Sequence, residues 1–132
     1  MTPEIILDTS ALVALALGEP GAAKVEKYLR GGRSAMHEAN VSELCLALPR
    51  KRPAHFDPEI VRTWVERSGI HVVSGFSPRL GALAAKIRLR NKALSLGDGV
   101  AMATARLLGV PVLAADSAFA ADFLYAKAEL IR

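Results

Sequence analysis

The apolar positions of this chain change period repeatedly. Ile5-Ile6-Leu7 is a short unbroken apolar run, the pattern of a strand buried on both faces. It stops at Asp8-Thr9-Ser10, after which Ala11, Leu12, Leu15 and Ala16 recur at helical spacing until Gly18-Glu19-Pro20-Gly21 breaks the run. A second helix is predicted from about Ala22 to Leu29, ending at Gly31-Gly32. Ser34-Ala35-Met36 reads as a short strand. A helix follows from about Glu38 to Pro49, with Val41, Leu44, Cys45 and Leu48 on one face. Arg50-Lys51-Arg52-Pro53 is expected to be a loop, because a proline disfavours helix at the residue before it. Asp57-Pro58 and Ser77-Pro78 both look like helix starts with proline at the first helical position. These helices run to near Gly69 and to about Asn91, and Ile70-His71-Val72-Val73 between them is a strand candidate.

Ser95 to Leu108 is a further helix, stopped by Gly109. Val110 to Ala114 is a strand, Asp116 to about Leu124 a short helix, and Leu130-Ile131 a last edge strand. Strands alternate with helices, so the expected fold is α/β, one domain over residues 1–132, with a central parallel sheet and helices on both faces. In such sheets ligands bind beyond the carboxyl ends of the strands. Asp8 and Asp116 fall there.

Composition narrows the class. Half of the residues (52%) are hydrophobic, mostly Ala, Leu and Val, so a core can form and disorder is excluded. The longest apolar stretch, Ala11 to Leu17, is far short of the roughly 20 residues that span a bilayer. The N-terminus lacks the basic region of a secretory signal. The single cysteine, Cys45, excludes an internal disulfide and a cysteine zinc site, suits a reducing cytoplasm and reads as a small buried hydrophobe. The net charge is +4, and a basic surface around an acidic pocket suits a polyanion.

The candidate chemistry is carboxylate. Asp8, Glu43, Asp98 and Asp116 each have an ordinary structural reading: helix caps for Asp8 and Asp116, a capping box with Ser95 for Asp98, a solvated helix edge for Glu43. Three of them are nevertheless set among apolar residues with no Lys or Arg adjacent in sequence. Carboxylates so placed resist ionisation unless paired or bound to a cation. An all-oxygen set suits Mg²⁺ or Mn²⁺ rather than zinc.

Four segments, in order, resemble the motifs of PIN-domain nucleases, and of the VapC-type toxin ribonucleases among them. They are Leu7-Asp8-Thr9-Ser10-Ala11-Leu12, Asn40-Val41-Ser42-Glu43-Leu44, Leu96-Gly97-Asp98-Gly99 through Ala105, and Val112-Leu113-Ala114-Ala115-Asp116-Ser117-Ala118-Phe119. The resemblance covers nearly the whole chain. It implies a PIN-like three-layer sandwich, an acidic cluster of Asp8, Glu43, Asp98 and Asp116 supported by Ser10, and metal-dependent cleavage of RNA phosphodiesters. It also implies an antitoxin protein as partner. The last motif departs from the family at Ala114, where Thr or Ser is common.

Asp8, Asp98 and Asp116 are the expected ligands, with Glu43 completing a second metal position or orienting the attacking water. The ion's contribution is to lower a water's pKa and stabilise charge on the phosphate. Arg50, Lys51, Arg52, Arg88, Arg90 and Lys92 are candidate phosphate contacts. His37, His55 and His71 offer a metal-free alternative, although none sits in a recognisable constellation. Apolar faces around Leu12, Leu15, Val25 and Leu29 suggest a homodimer. Two rivals are weighed. An aspartyl-nucleophile phosphatase would want a second Asp where Ser10 stands. A degenerate PIN domain acting as a binding module would not keep all four acidic positions filled.

Overall fold

A computed structural model describes residues 2–122 and 126–132. Five strands form one parallel sheet: β1 (Ile5–Leu7), β2 (Ser34–His37), β3 (His71–Val73), β4 (Val112–Ala114) and β5 (Ala128–Leu130), in the order β3-β2-β1-β4-β5. Ile6 pairs with Ala35 on one side and Val112 on the other, so β1 is the central strand. The chain leaves β1 towards β2 and β3, then returns to β4. The order therefore reverses between β1 and β4, the position at which α/β sheets open a crevice for ligands.

Six helices cover the sheet: α1 (Thr9–Leu17), α2 (Ala22–Gly31), α3 (Glu38–Lys51), α4 (Pro58–Arg67), α5 (Pro78–Arg90) and α6 (Leu96–Leu108). The period-2 geometry of the strands sorts the core into two halves. Ile5, Leu7, Met36 and Leu113 face Leu12, Val25, Leu44, Leu48, Val61 and Val65 from α1 to α4. Ile6, Ala35, Val112 and Ala114 face Ala84, Ile87, Val100 and Met102 from α5 and α6. This is the expected three-layer α/β sandwich. Among the described residues no helix is long and apolar enough to cross a membrane.

Local signals set most boundaries. Asp57 and Ser77 cap α4 and α5, each with proline in the first turn, and Ser95 with Asp98 closes a full capping box on α6. Four expectations are corrected. Arg50 and Lys51 are not loop residues: α3 continues through Pro49 to Lys51, and Arg52 N–H bonds the Leu48 carbonyl at 2.9 Å. Pro49 lies one turn from the helix end, where its missing N–H removes a single ladder bond. The segment after Asp116 is a 3-10 helix, Ser117–Asp122, and the remainder of the helix expected there lies outside the described residues. Leu12 and Val25 are fully buried and Leu15 and Leu29 pack against the same core, so these faces are spent within one chain. Cys45 is half-buried rather than buried.

Candidate acidic site

Asp8 follows β1 and is the N-cap of α1. Its Oδ2 accepts the Ser10 backbone N–H at 3.1 Å and the Ser10 hydroxyl at 2.7 Å. That hydroxyl oxygen in turn accepts the N–H of Ala115, beyond β4, at 2.9 Å. One serine thus ties the ends of the two strands flanking the reversal point. Ala114 contributes no hydroxyl, and the polar tie at this place comes from Ser10. Asp8 is only 2% exposed, and its Oδ1 is buried with no hydrogen-bond partner.

Glu43 enters from the second turn of α3. Its Oε1 accepts the Thr9 hydroxyl at 2.8 Å and the Asn40 side-chain N–H at 2.9 Å. Asn40 is fully buried and also donates to the Gly97 carbonyl at 3.0 Å, which fastens α3 to the first turn of α6. Gly97 leaves room for the Glu43 carboxylate: a Cβ there would lie within 2.0–2.2 Å of it and push it aside. At Gly99 a Cβ would meet Arg88 and the Ala84 carbonyl at 3.0–3.1 Å. The glycines around Asp98 are close-packing positions.

Asp98 is half-buried, and its Oδ2 accepts the Ser95 N–H at 2.8 Å. Asp116 is not set in an apolar pocket as its neighbours in sequence suggest. It is exposed, because the chain turns outward after β4, and its Oδ1 accepts the Ala118 N–H at 2.9 Å.

Asp8, Glu43 and Asp98 line one cavity of about 440 Å³; Asp116 is not among its lining residues, although its charge acts on Asp98. Burial, reinforced by the Asp98 and Glu43 charges, pushes the Asp8 carboxyl up to about 7 against the pull of its Ser10 bonds. Burial likewise raises Asp98, with Glu43 and Asp116 adding repulsion. The carboxylates are therefore coupled in a series, Asp8 to Asp98 and Glu43, and Asp98 to Glu43 and Asp116. Among the described residues no three Asp, Glu, His or Cys side chains converge into a ready-made cation cage. Asp8, Asp98 and Asp116 are each bonded within their own cap or turn, and Glu43 is bonded to Thr9 and Asn40. The donor chemistry still fits a hard divalent cation: a buried Asp8 oxygen lacks a partner, and the surrounding carboxylates are hard oxygen donors.

The histidines stand elsewhere. His37 is buried as the N-cap of α3, where Nδ1 accepts the Ala39 N–H and Nε2 donates to the Gly75 carbonyl at 2.7 Å. His55 and His71 are exposed, and none of the three lines the acidic cavity. Of the six basic candidates, Lys51 alone lines it. Arg88 is engaged with the Leu94 carbonyl, and Arg52 with the Lys51 carbonyl. Thr9, Asn40, Glu19 and Arg132 are site residues that sequence reasoning passed over. Asn40, one turn before Glu43, was the legible one.

The PIN domain family profile matches residues 5–122. Ribonuclease VapC42 of Mycobacterium tuberculosis is 33% identical over 116 residues, 83% of this chain and 88% of the relative. Two solved structures share the fold. A toxin–antitoxin complex from Klebsiella pneumoniae gives a TM-score of 0.70 at 18% identity, covering 97% of this chain and 98% of that one. A DNA-bound VapBC from Salmonella typhimurium gives 0.70 at 15%, covering 98% and 99%. With its motifs in order along this fold, the chain belongs to the PIN-domain family, and its relatives there are VapC ribonucleases.

Proposed function

We propose that the protein is a metal-dependent endoribonuclease, the toxin of a toxin–antitoxin pair, acting in the cytoplasm. The observation that carries this reading is the buried, partnerless Oδ1 of Asp8 in a cavity it shares with Glu43 and Asp98. A structural N-cap needs one oxygen facing the helix, and burying the whole carboxylate beside two others costs stability. Nothing in the packing of α1 requires that arrangement.

Asp8, Asp98 and Asp116 would hold Mg²⁺ or Mn²⁺, with Glu43 at a second position or on the attacking water. When bound, such an ion lowers a water's pKa and neutralises charge developing on the phosphate. The chain's own residues supply the rest. Ser10 fixes the rotamer of Asp8 and joins it to β4. Thr9 and Asn40 fix Glu43 so that it faces the cavity. The Ser95 capping box holds Asp98 at the head of α6, where the helix N-terminus favours anionic groups.

The partners are an RNA strand, a cognate antitoxin of the kind seen with the structural neighbours, and a second copy of the chain. For the homodimer, Leu46 on α3 and Ile60 on α4 are about half exposed and are the candidate contact in place of the α1 and α2 faces. A binding-only PIN domain is the second reading, favoured by the absence of a ready-made cage among the described residues. Calorimetry separates the two. Titrating Mn²⁺ into chelator-treated protein is expected to give saturable binding that Asp8→Asn abolishes. No binding, with intact RNA after incubation in Mg²⁺, would leave the binding module.

A further inference from the structure

We propose that Lys51 and Arg132 form a two-cation clamp that grips RNA phosphates flanking the scissile one, Arg132 being released from Glu19 as the strand enters. The inference rests on the reading of the acidic cavity as an RNA-cleaving site.

Both cations line the same cavity as Asp8, Glu43 and Asp98. An anionic strand approaching those carboxylates meets repulsion, and fixed positive charge at the rim is what offsets it. Lys51 lies eight residues beyond Glu43 on α3, about 12 Å along the helix axis. That separation puts its ammonium beyond the phosphate that Glu43 serves and within reach of a neighbour. Arg132 enters from beyond β5, on the far side of β1 from the strand that feeds α3.

The backbone that presents Arg132 is locked on several sides. Ile131 N–H bonds the Ala114 carbonyl at 3.1 Å, continuing the β4–β5 pairing towards the site. Lys24 donates to the Leu130 carbonyl at 3.1 Å and pairs with Glu129 at 3.0 Å, and the Tyr28 hydroxyl donates to Glu129. Gly21, at φ +93°, lies so close to Ile131 that a Cβ would come within 2.5 Å of its carbonyl oxygen. The guanidinium itself is lightly committed. Its contact with Glu19 is 3.6 Å, an ion pair too long for a hydrogen bond, and among the described residues its donors make no hydrogen bond. A rigid base carrying a lightly held bidentate donor is the arrangement that phosphate recognition needs. Glu19 then acts as a placeholder that keeps Arg132 over the cavity until a phosphate replaces it.

The test measures binding of a fluorescein-labelled single-stranded RNA by Asp8→Asn protein, which leaves the strand uncut, across a KCl series. Cleavage kinetics are measured in the otherwise native protein. Lys51→Gln and Arg132→Gln are each expected to lower the slope of log affinity against log salt by about 0.7, and Arg132→Lys to restore it. In cleavage, each Gln variant is expected to lower kcat/KM about five-fold, mainly through KM, with an unchanged melting temperature. Glu19→Gln is expected to act in the opposite direction and tighten RNA. An unchanged salt slope in both Gln variants, while the parent protein binds and cleaves RNA, overturns the clamp and leaves the nuclease standing. Weaker RNA binding in Glu19→Gln, with a lowered melting temperature, overturns it too, because the pair is then structural. If the parent neither binds nor cleaves RNA, the nuclease reading fails and the clamp with it.

Discussion

Asp8 heads α1 with one carboxylate oxygen bonded to Ser10 and the other facing no donor. Its carboxyl titrates near 7 in the fold against an ordinary 3.8, chiefly through burial. The folded protein therefore holds more protons than the unfolded chain between those values. Without divalent cations, stability is expected to fall as pH rises from about 4 to 7, by up to a few kcal/mol, and to level off above. Asp98 shifts in the same direction and adds to the slope. Thermal melts of chelated protein across this range check the sign. Asp8→Asn should flatten the curve and melt higher than the native protein at pH 8. Ser10→Ala removes the bond to Asp8 and the acceptor for Ala115, so a loss of about 1–2 kcal/mol is expected in denaturant titrations. Gly97→Ala must displace Glu43 and is expected to abolish cleavage while Asp98 stays capped, which RNA cleavage assays at matched folded fraction would show.

At the scale of elements, the strand ends and helix heads do the positioning. The Ser95–Asp98 box makes the point testable: Ser95→Ala is expected to cost about 1 kcal/mol, since the Asp98 backbone N–H loses its acceptor, and to lower cleavage further than that loss explains, because only the Ser95 backbone N–H then orients Asp98. Much of this scale was legible in the sequence. The Ile5-Ile6-Leu7 run, the prolines at Pro58 and Pro78 and the Ser95 box act through residues within one turn of each other, and periodicity reads such neighbours directly. What stayed hidden depends on contacts distant in sequence. Asn40 matters because Gly97 lies 57 residues on, and Arg132 because β5 is held by Lys24 and Gly21. Arg50 and Lys51 looked like loop because Pro53 disfavours helix at the residue before it, yet that restriction reaches only Arg52, and α3 runs on to Lys51. Asp116 was grouped by its apolar neighbours, whereas the outward turn after β4 exposes it. Asp116→Asn is accordingly expected to reduce cleavage less than Asp8→Asn or Asp98→Asn.

Across the whole molecule, the sheet's reversal point gathers acidic groups from β1, α3, α6 and the end of β4 into one region of a chain whose net charge is +4. A histidine mechanism finds no such support, since His37 is consumed in capping α3 and neither His55 nor His71 lines the cavity. The central claim is that these carboxylates cleave RNA with a divalent cation. Its most direct measurement is cleavage of a defined RNA transcript by native, Asp8→Asn and Asp98→Asn proteins, in Mg²⁺ and in EDTA, with the new ends mapped. The expected result is discrete cuts by the native protein in Mg²⁺ alone, and rates lowered at least about a hundred-fold in both folded variants. Equal cleavage in EDTA, or by either variant, would contradict the account.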